Sequence, residues 1–208
     1  MKYRNPILSL LLLVCVVPSA MAADGVQQFK AFMQDLHTLQ ASFRQTIQQP
    51  EDDTVYANNG VFYLKRPGQL RWEYEDPATQ VIVADGNRIW LHDLELEQVS
   101  HRSQKAALKG TPAQLLSGTT PVEKDFELLD QGQSNGISWI ELRPKDKEAQ
   151  FVKVRLGLAD NQLQRMEMYD SFGQITRFIF YDMQRNPELS SELFVFVPPP
   201  QIDLIGDL

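Results

Sequence analysis

The stretch Gly60-Val61-Phe62-Tyr63-Leu64-Lys65-Arg66-Pro67-Gly68, continued by Leu70-Arg71-Trp72-Glu73-Tyr74, decides the fold. Side chains on a strand point alternately to its two faces. Phe62, Leu64 and Arg66 therefore share one face, and Val61, Tyr63 and Lys65 the other. After the Pro67-Gly68 turn, Leu70, Trp72 and Tyr74 oppose Arg71 and Glu73. Two such runs joined by Pro-Gly read as an antiparallel hairpin.

The same period continues on both sides. Gln80 to Ala84, a turn at Asp85-Gly86-Asn87, Arg88 to His92 and a segment around Gln98 extend it. It resumes near Phe126, over Ile137 to Leu142, in Val152, Val154, Leu156 and Leu158 against Lys153 and Arg155, and in runs from Leu163 to Tyr169 and Gln174 to Asp182. About ten or eleven short strands with hairpin-length connections predict one antiparallel sheet, mainly β in an α+β chain, with no βαβ unit. A sheet of that size must twist and curl, which points to an incomplete barrel.

Ahead of the strands, Val26, Phe29, Phe32, Met33, Leu36 and Leu39 recur every three or four residues and predict an amphipathic helix from about Asp24 to Leu39. A polar loop from Gln49 to Asn59 follows. Thr111-Pro112 places a capping hydroxyl before a proline at the first helical position, opening a short helix through Leu115 and Leu116. These apolar stripes need a surface to cover, and the open mouth of a curled sheet supplies one. The stripe is either a permanent seal or a movable lid.

The first residues set the compartment. Lys2 and Arg4 precede an apolar run from Ile7 to Val17, too short to span a bilayer, and Ala20-Met21-Ala22 has the small-x-small pattern of a cleavage site. Residues 1–22 are thus expected to be a signal peptide, leaving 23–208 as one domain. The single cysteine, Cys15, lies inside that leader behind Val14, which does not suit lipidation, so the mature chain offers no disulfide or thiolate. Its loss of two cations moves the net charge from −7 to −9, which argues against nucleic acid as a partner.

Chemistry finds no foothold in the sequence. His37, His92 and His101 lack ligand spacing, Asp52-Asp53 sits in a polar loop, and neither a Gly-x-Ser-x-Gly elbow nor a phosphate loop occurs. No catalytic residue, metal site or cofactor is expected.

The order and spacing of Lys65-Arg66-Pro67-Gly68, Arg71-Trp72-x-Tyr74, Pro77, Asp85-Gly86 and Ile89-Trp90 resemble the core signature of the outer-membrane lipoprotein carrier family, LolA. Phe43-Arg44-Gln45, Thr111-Pro112 with Leu115-Leu116, and the tail Phe194-Val195-Phe196-Val197-Pro198-Pro199 extend the likeness over nearly the whole mature chain. The resemblance implies a monomeric periplasmic carrier without a cofactor. Such a carrier takes acylated lipoproteins from an inner-membrane ABC-type transporter, shelters their acyl chains in an apolar cavity under a helical lid, and passes them to a LolB-like outer-membrane receptor. It further implies that Arg66 hydrogen-bonds the lid helices and latches the empty cavity; alternation alone leaves open an ordinary solvated arginine at a strand end. Phe62, Leu64, Leu70, Trp72 and Tyr74 are the candidate cavity wall, with packed core as their other reading. Phe29, Phe32, Met33, Leu36, Leu115 and Leu116 are the candidate lid stripe. A periplasmic lipid-sensing regulatory domain of the same fold is the rival function; the known regulator has a further domain, which is not expected here because the sequence ends soon after Pro198-Pro199-Pro200.

Overall fold

The computed structural model describes residues 24–50, 55–77, 79–108, 111–118, 121–147 and 149–206. The expected signal peptide, Cys15 and Asp52-Asp53 lie outside the described residues.

A short helix, α1 (Gly25–Met33), leads into five antiparallel strands: β1 (Thr38–Gln48), β2 (Val55–Lys65), β3 (Gln69–Asp76), β4 (Gln80–Asp85) and β5 (Arg88–Asp93). After β6 (Gln98–Ser103) the chain leaves the sheet for three short helices, α2 (Gln104–Leu108), α3 (Pro112–Ser117) and α4 (Val122–Asp125). It returns as β7 (Phe126–Ser134), β8 (Ile137–Pro144), β9 (Phe151–Ala159), β10 (Gln162–Asp170) and β11 (Ile175–Arg185). A 3-10 turn (Ser191–Phe194) and β12 (Asp203–Gly206) complete it.

All twelve strands belong to one sheet in the order β12-β6-β5-β4-β3-β2-β1-β11-β10-β9-β8-β7. The ends of that order, β12 and β7, do not pair, so the barrel is incomplete. Every pairing is antiparallel except β12 on β6, which is parallel.

Two strands escape the sequence pattern. The expected helix ends at Met33, because Gln34 turns extended and Asp35 takes a positive φ of 51°. Leu36 therefore sits buried in the connection and Leu39 on β1, not on a helical stripe. β1 itself joins the two halves of the sheet, pairing with β2 from Thr38↔Lys65 to Gln48↔Val55 and with β11 on its other side. The second unexpected strand is β12, and β2 begins at Val55 inside the predicted loop.

The concave face carries the core. Phe43 on β1 is fully buried, with Trp72, Tyr74 and Phe178 at ring-centroid distances of 5.4, 5.3 and 5.8 Å. Burying such a ring contributes about 1.5–3 kcal/mol. Gly60 makes room for this edge-on packing, because a Cβ there would meet the carbonyl of Glu73 and stand 2.7 Å from Cζ of Phe43.

α1 covers β7 to β10, while α2 lies along β5 and β6 and α3 reaches β2. On the convex face the tail crosses β3 and β4, burying Phe194 and stacking Phe196 on Trp90 at 5.5 Å before it adds β12.

Candidate functional site

Between the two halves of the curled sheet lies a cavity of about 700 Å³. Cross-strand partners share a face, so the pairings Trp72↔Ile82, Ile82↔Leu91 and Ala84↔Ile89 carry the inward side of β3 across to β5. Leu70, Trp72 and Tyr74 form one wall with Ile82, Ile89 and Leu91. Met166 and Met168 on β10 and Phe178 on β11 form the opposite one. Leu108, Ala113 and Leu116 from α2 and α3 close the top. Two thioethers on one wall give it side chains that repack readily around different shapes.

Gln45, Ser100, His101, Arg102, Thr111 and Gln150 are the polar members of an otherwise largely apolar lining. Gln45 is buried and hydrogen-bonded to Tyr74, whose phenol is pushed up to about 12 by burial. The indole N–H of Trp72 has no hydrogen-bond partner among the described residues.

The residues read from the sequence divide. Leu70, Trp72, Tyr74 and Leu116 border the cavity. Phe62 and Leu64 are fully buried in the packed core and are not among the residues that border it. Phe29, Phe32 and Leu36 pack into the same solid core, Leu115 is buried beside Leu116, and Met33 lies at its margin. Sequence reading missed Ile82, Ile89, Leu91, Met166, Met168 and Phe178 as wall. Alternation placed several of them on strands, but only the register says which strands face the hollow.

Arg66 stands where the two parts of the cover meet. Its Nε donates to the carbonyl of Leu116 at 3.0 Å, its Nη1 to the carbonyl of Met33 at 3.3 Å, and its Nη2 lies 3.2 Å from Sδ of Met33. Met33 ends α1 and Leu116 lies in the last turn of α3, so one cation faces the partially negative ends of two helices. Burial pulls the guanidinium below its ordinary pKa, and among the described residues no carboxylate pairs with it. Gly118 ends α3 at φ 69°, and a Cβ there would stand 2.7 Å from both Cδ and Nε of Arg66. Only glycine fits both the left-handed turn and the approach of the arginine.

The two parts of the cover are fastened to different parts of the sheet. The backbone N–H of Gly25 at the start of α1 donates to Asp130 at 2.8 Å, and Gln28 joins Ser138 at 2.8 Å. At its end, Arg185 donates to the carbonyls of Phe32 and Gln34 at 3.0 and 2.8 Å. α2 and α3 are held to two turns of the sheet: Gln104 donates its side-chain amide to the carbonyl of Gly68 at 2.6 Å, accepts from the N–H of Gly86 at 2.9 Å and donates its backbone N–H to the carbonyl of Asn87 at 2.9 Å, while Gly68 donates to the carbonyl of Ser117 at 3.0 Å.

Among the described residues no cluster of His, Cys, Asp or Glu is placed to hold a metal ion. No described helix is long and apolar enough to cross a membrane.

Comparison with known proteins fits this geometry. The family model described as outer membrane lipoprotein carrier protein LolA matches residues 34–197. The outer-membrane lipoprotein carrier protein of Dechloromonas aromatica is 39% identical over 192 residues, covering 92% of each chain. That of Nitrosospira multiformis is 41% identical over 186 residues, covering 89% of this chain and 90% of its own. Among solved structures, an uncharacterized conserved protein from Thermus thermophilus shares the fold at a TM-score of 0.53 and 11% identity, covering 88% of this chain and 96% of that one. A match over most of the chain, with relatives near 40% identity along almost their full length, makes this chain a member of the outer membrane lipoprotein carrier family, LolA.

Proposed function

We propose that this chain is a periplasmic carrier that receives lipoproteins released by an inner-membrane ABC transporter, shields their acyl chains in the cavity, and delivers them to a LolB-like outer-membrane receptor. The observation that carries this reading is the apolar hollow roofed by helices whose ends meet on Arg66.

The physical need is large. Leaving one sixteen-carbon chain in water costs about 12 kcal/mol at ~0.8 kcal/mol per methylene. A methylene occupies roughly the ~30 Å³ of a water molecule, so that chain fills about 480 Å³. One chain fits the cavity of about 700 Å³, which is partly open to solvent. α2 and α3 are the part that moves, because α1 packs across four strands, β7 to β10, whereas α2 lies along two and α3 reaches one. Arg66 would keep α1 and surrender Leu116, exchanging the closed state for a loaded one. With no energy source of its own in this scheme, direction comes from a receptor that holds acyl chains more tightly than the carrier does. Residues 1–22 serve as the export signal, and the mature chain works as a monomer without catalytic chemistry.

The test is to incubate the exported protein with spheroplasts that retain newly made lipoproteins. A soluble complex containing both proteins is expected. Lipoproteins that stay with the membrane at every carrier concentration contradict the proposal.

A further inference from the structure

One charged side chain in the cavity has no task in carrying neutral acyl groups. Arg102 pairs across β5–β6 with Ile89, and Ser100 with Leu91, so both point to the concave side with the apolar wall. Arg102 is exposed at the rim of the cavity, where β12 adds Ile205 opposite Ser100.

Several other cations of the sheet are matched, and Arg44 and Arg165, which like Arg102 have no partner among the described residues, stand on the outer face with the exposed Ile179. Arg71 meets Glu73, Arg155 meets Glu167 at 2.9 Å, and Arg88 meets Nδ1 of His101 at 2.7 Å. Among the described residues no hydrogen bond or ion pair engages the Arg102 side chain. The carboxylate of Asp85, in the turn before β5, is committed to the backbone N–H groups of Asn87 and Arg88 and to the indole of Trp90. Lys105, at the start of α2, adds a second positive charge to this corner.

An apolar wall with a free guanidinium at its lip is complementary to a chain that ends in an anion. A carboxylate or phosphate would accept charge-assisted hydrogen bonds from Arg102, and Ser100 offers a hydroxyl on the same face. At roughly 30 Å³ per methylene one sixteen-carbon chain needs about 480 Å³, within the cavity of about 700 Å³. We propose that the closed cavity also binds a single-chain amphiphile with an anionic head, a long-chain fatty acid or a lysophospholipid, whose head is held by Arg102. The inference rests on the cavity accepting an acyl chain, and adds that it reads the head.

Calorimetric titration of the exported protein with palmitate, palmitoyl-lysophosphatidylglycerol and hexadecanol tests it. At least one anionic chain is expected to bind about ten-fold more tightly than hexadecanol, and the identity of that chain tells carboxylate from phosphate. Arg102→Gln is expected to erase the preference, bringing the anionic chain to the affinity of hexadecanol for the same variant. Equal affinity for all three, or a preference that survives Arg102→Gln, overturns the inference. Absence of binding by all three overturns it as well; if the same preparation then still draws lipoprotein from spheroplasts, the carrier reading stands and only the head-group inference falls.

Discussion

Arg66→Leu is expected to load lipoprotein and then fail to give it up. In the closed molecule the guanidinium satisfies the carbonyls of Leu116 and Met33 at the ends of two helices. Leucine leaves both without that donor and removes the cation from the helix ends. Charge-assisted hydrogen bonds of this kind are worth about 1.5–3 kcal/mol, so the balance shifts roughly ten- to a hundred-fold away from the empty, closed state. Loading needs only the open state and survives. Release requires closure behind the departing chain and slows by about the same factor. The measurement is the rate at which purified carrier–lipoprotein complex passes cargo to the receptor. A transfer rate equal to that of the unaltered carrier would remove Arg66 from the latch role.

Ile82→Trp is expected to abolish uptake while leaving the fold intact. Ile82 points into the hollow from the middle of β4, between Trp72 and Leu91. An indole at that position enters open space, so the cost of overpacking stays below the ~1–3 kcal/mol of a filled core. It would also take up volume that the acyl chain needs. Lipoprotein drawn from spheroplasts should fall at least ten-fold, with the unfolding free energy from urea titration within about 1 kcal/mol of the unaltered protein. A stable variant that collects cargo normally would mean that acyl chains bind elsewhere.

How far the sequence carries the reader depends on what each strand buries. β3 is legible because Leu70, Trp72 and Tyr74 stand on one side and Arg71 and Glu73 on the other, so large apolar and charged side chains alternate without interruption. β1 is not, because its inward row reads Leu39, Ala41, Phe43, Gln45: one position is small and another is a buried amide. The helical spacing of Leu36 and Leu39 behind Phe29 and Phe32 is a coincidence of connection and strand, and it drew the expected helix too far along the chain. β12 is four exposed residues that pair parallel to β6, a contact with no local signal.

The candidate site shows the same limit. Inward-pointing is not cavity-lining: Phe62 and Leu64 obey the alternation and pack solid, whereas Trp72, directly opposite Phe62, borders the hollow. Arg66 was within reach as an inward arginine beside a proline, but its partners at Met33 and Leu116 lie 33 and 50 residues away in the chain. Arg102 sits among Ser100, His101 and Ser103 in a strand without alternation, and only its register with Ile89 turns it toward the cavity.

The most direct test of the account places a photoreactive benzoylphenylalanine at Leu91, which faces the hollow, and in parallel at Tyr63, on the opposite face of the sheet. Each carrier is loaded from spheroplasts and illuminated. Cross-linking to the lipoprotein from position 91 and not from position 63 is the predicted result; equal yields at both, or a yield confined to position 63, would contradict an acyl chain held inside the curled sheet.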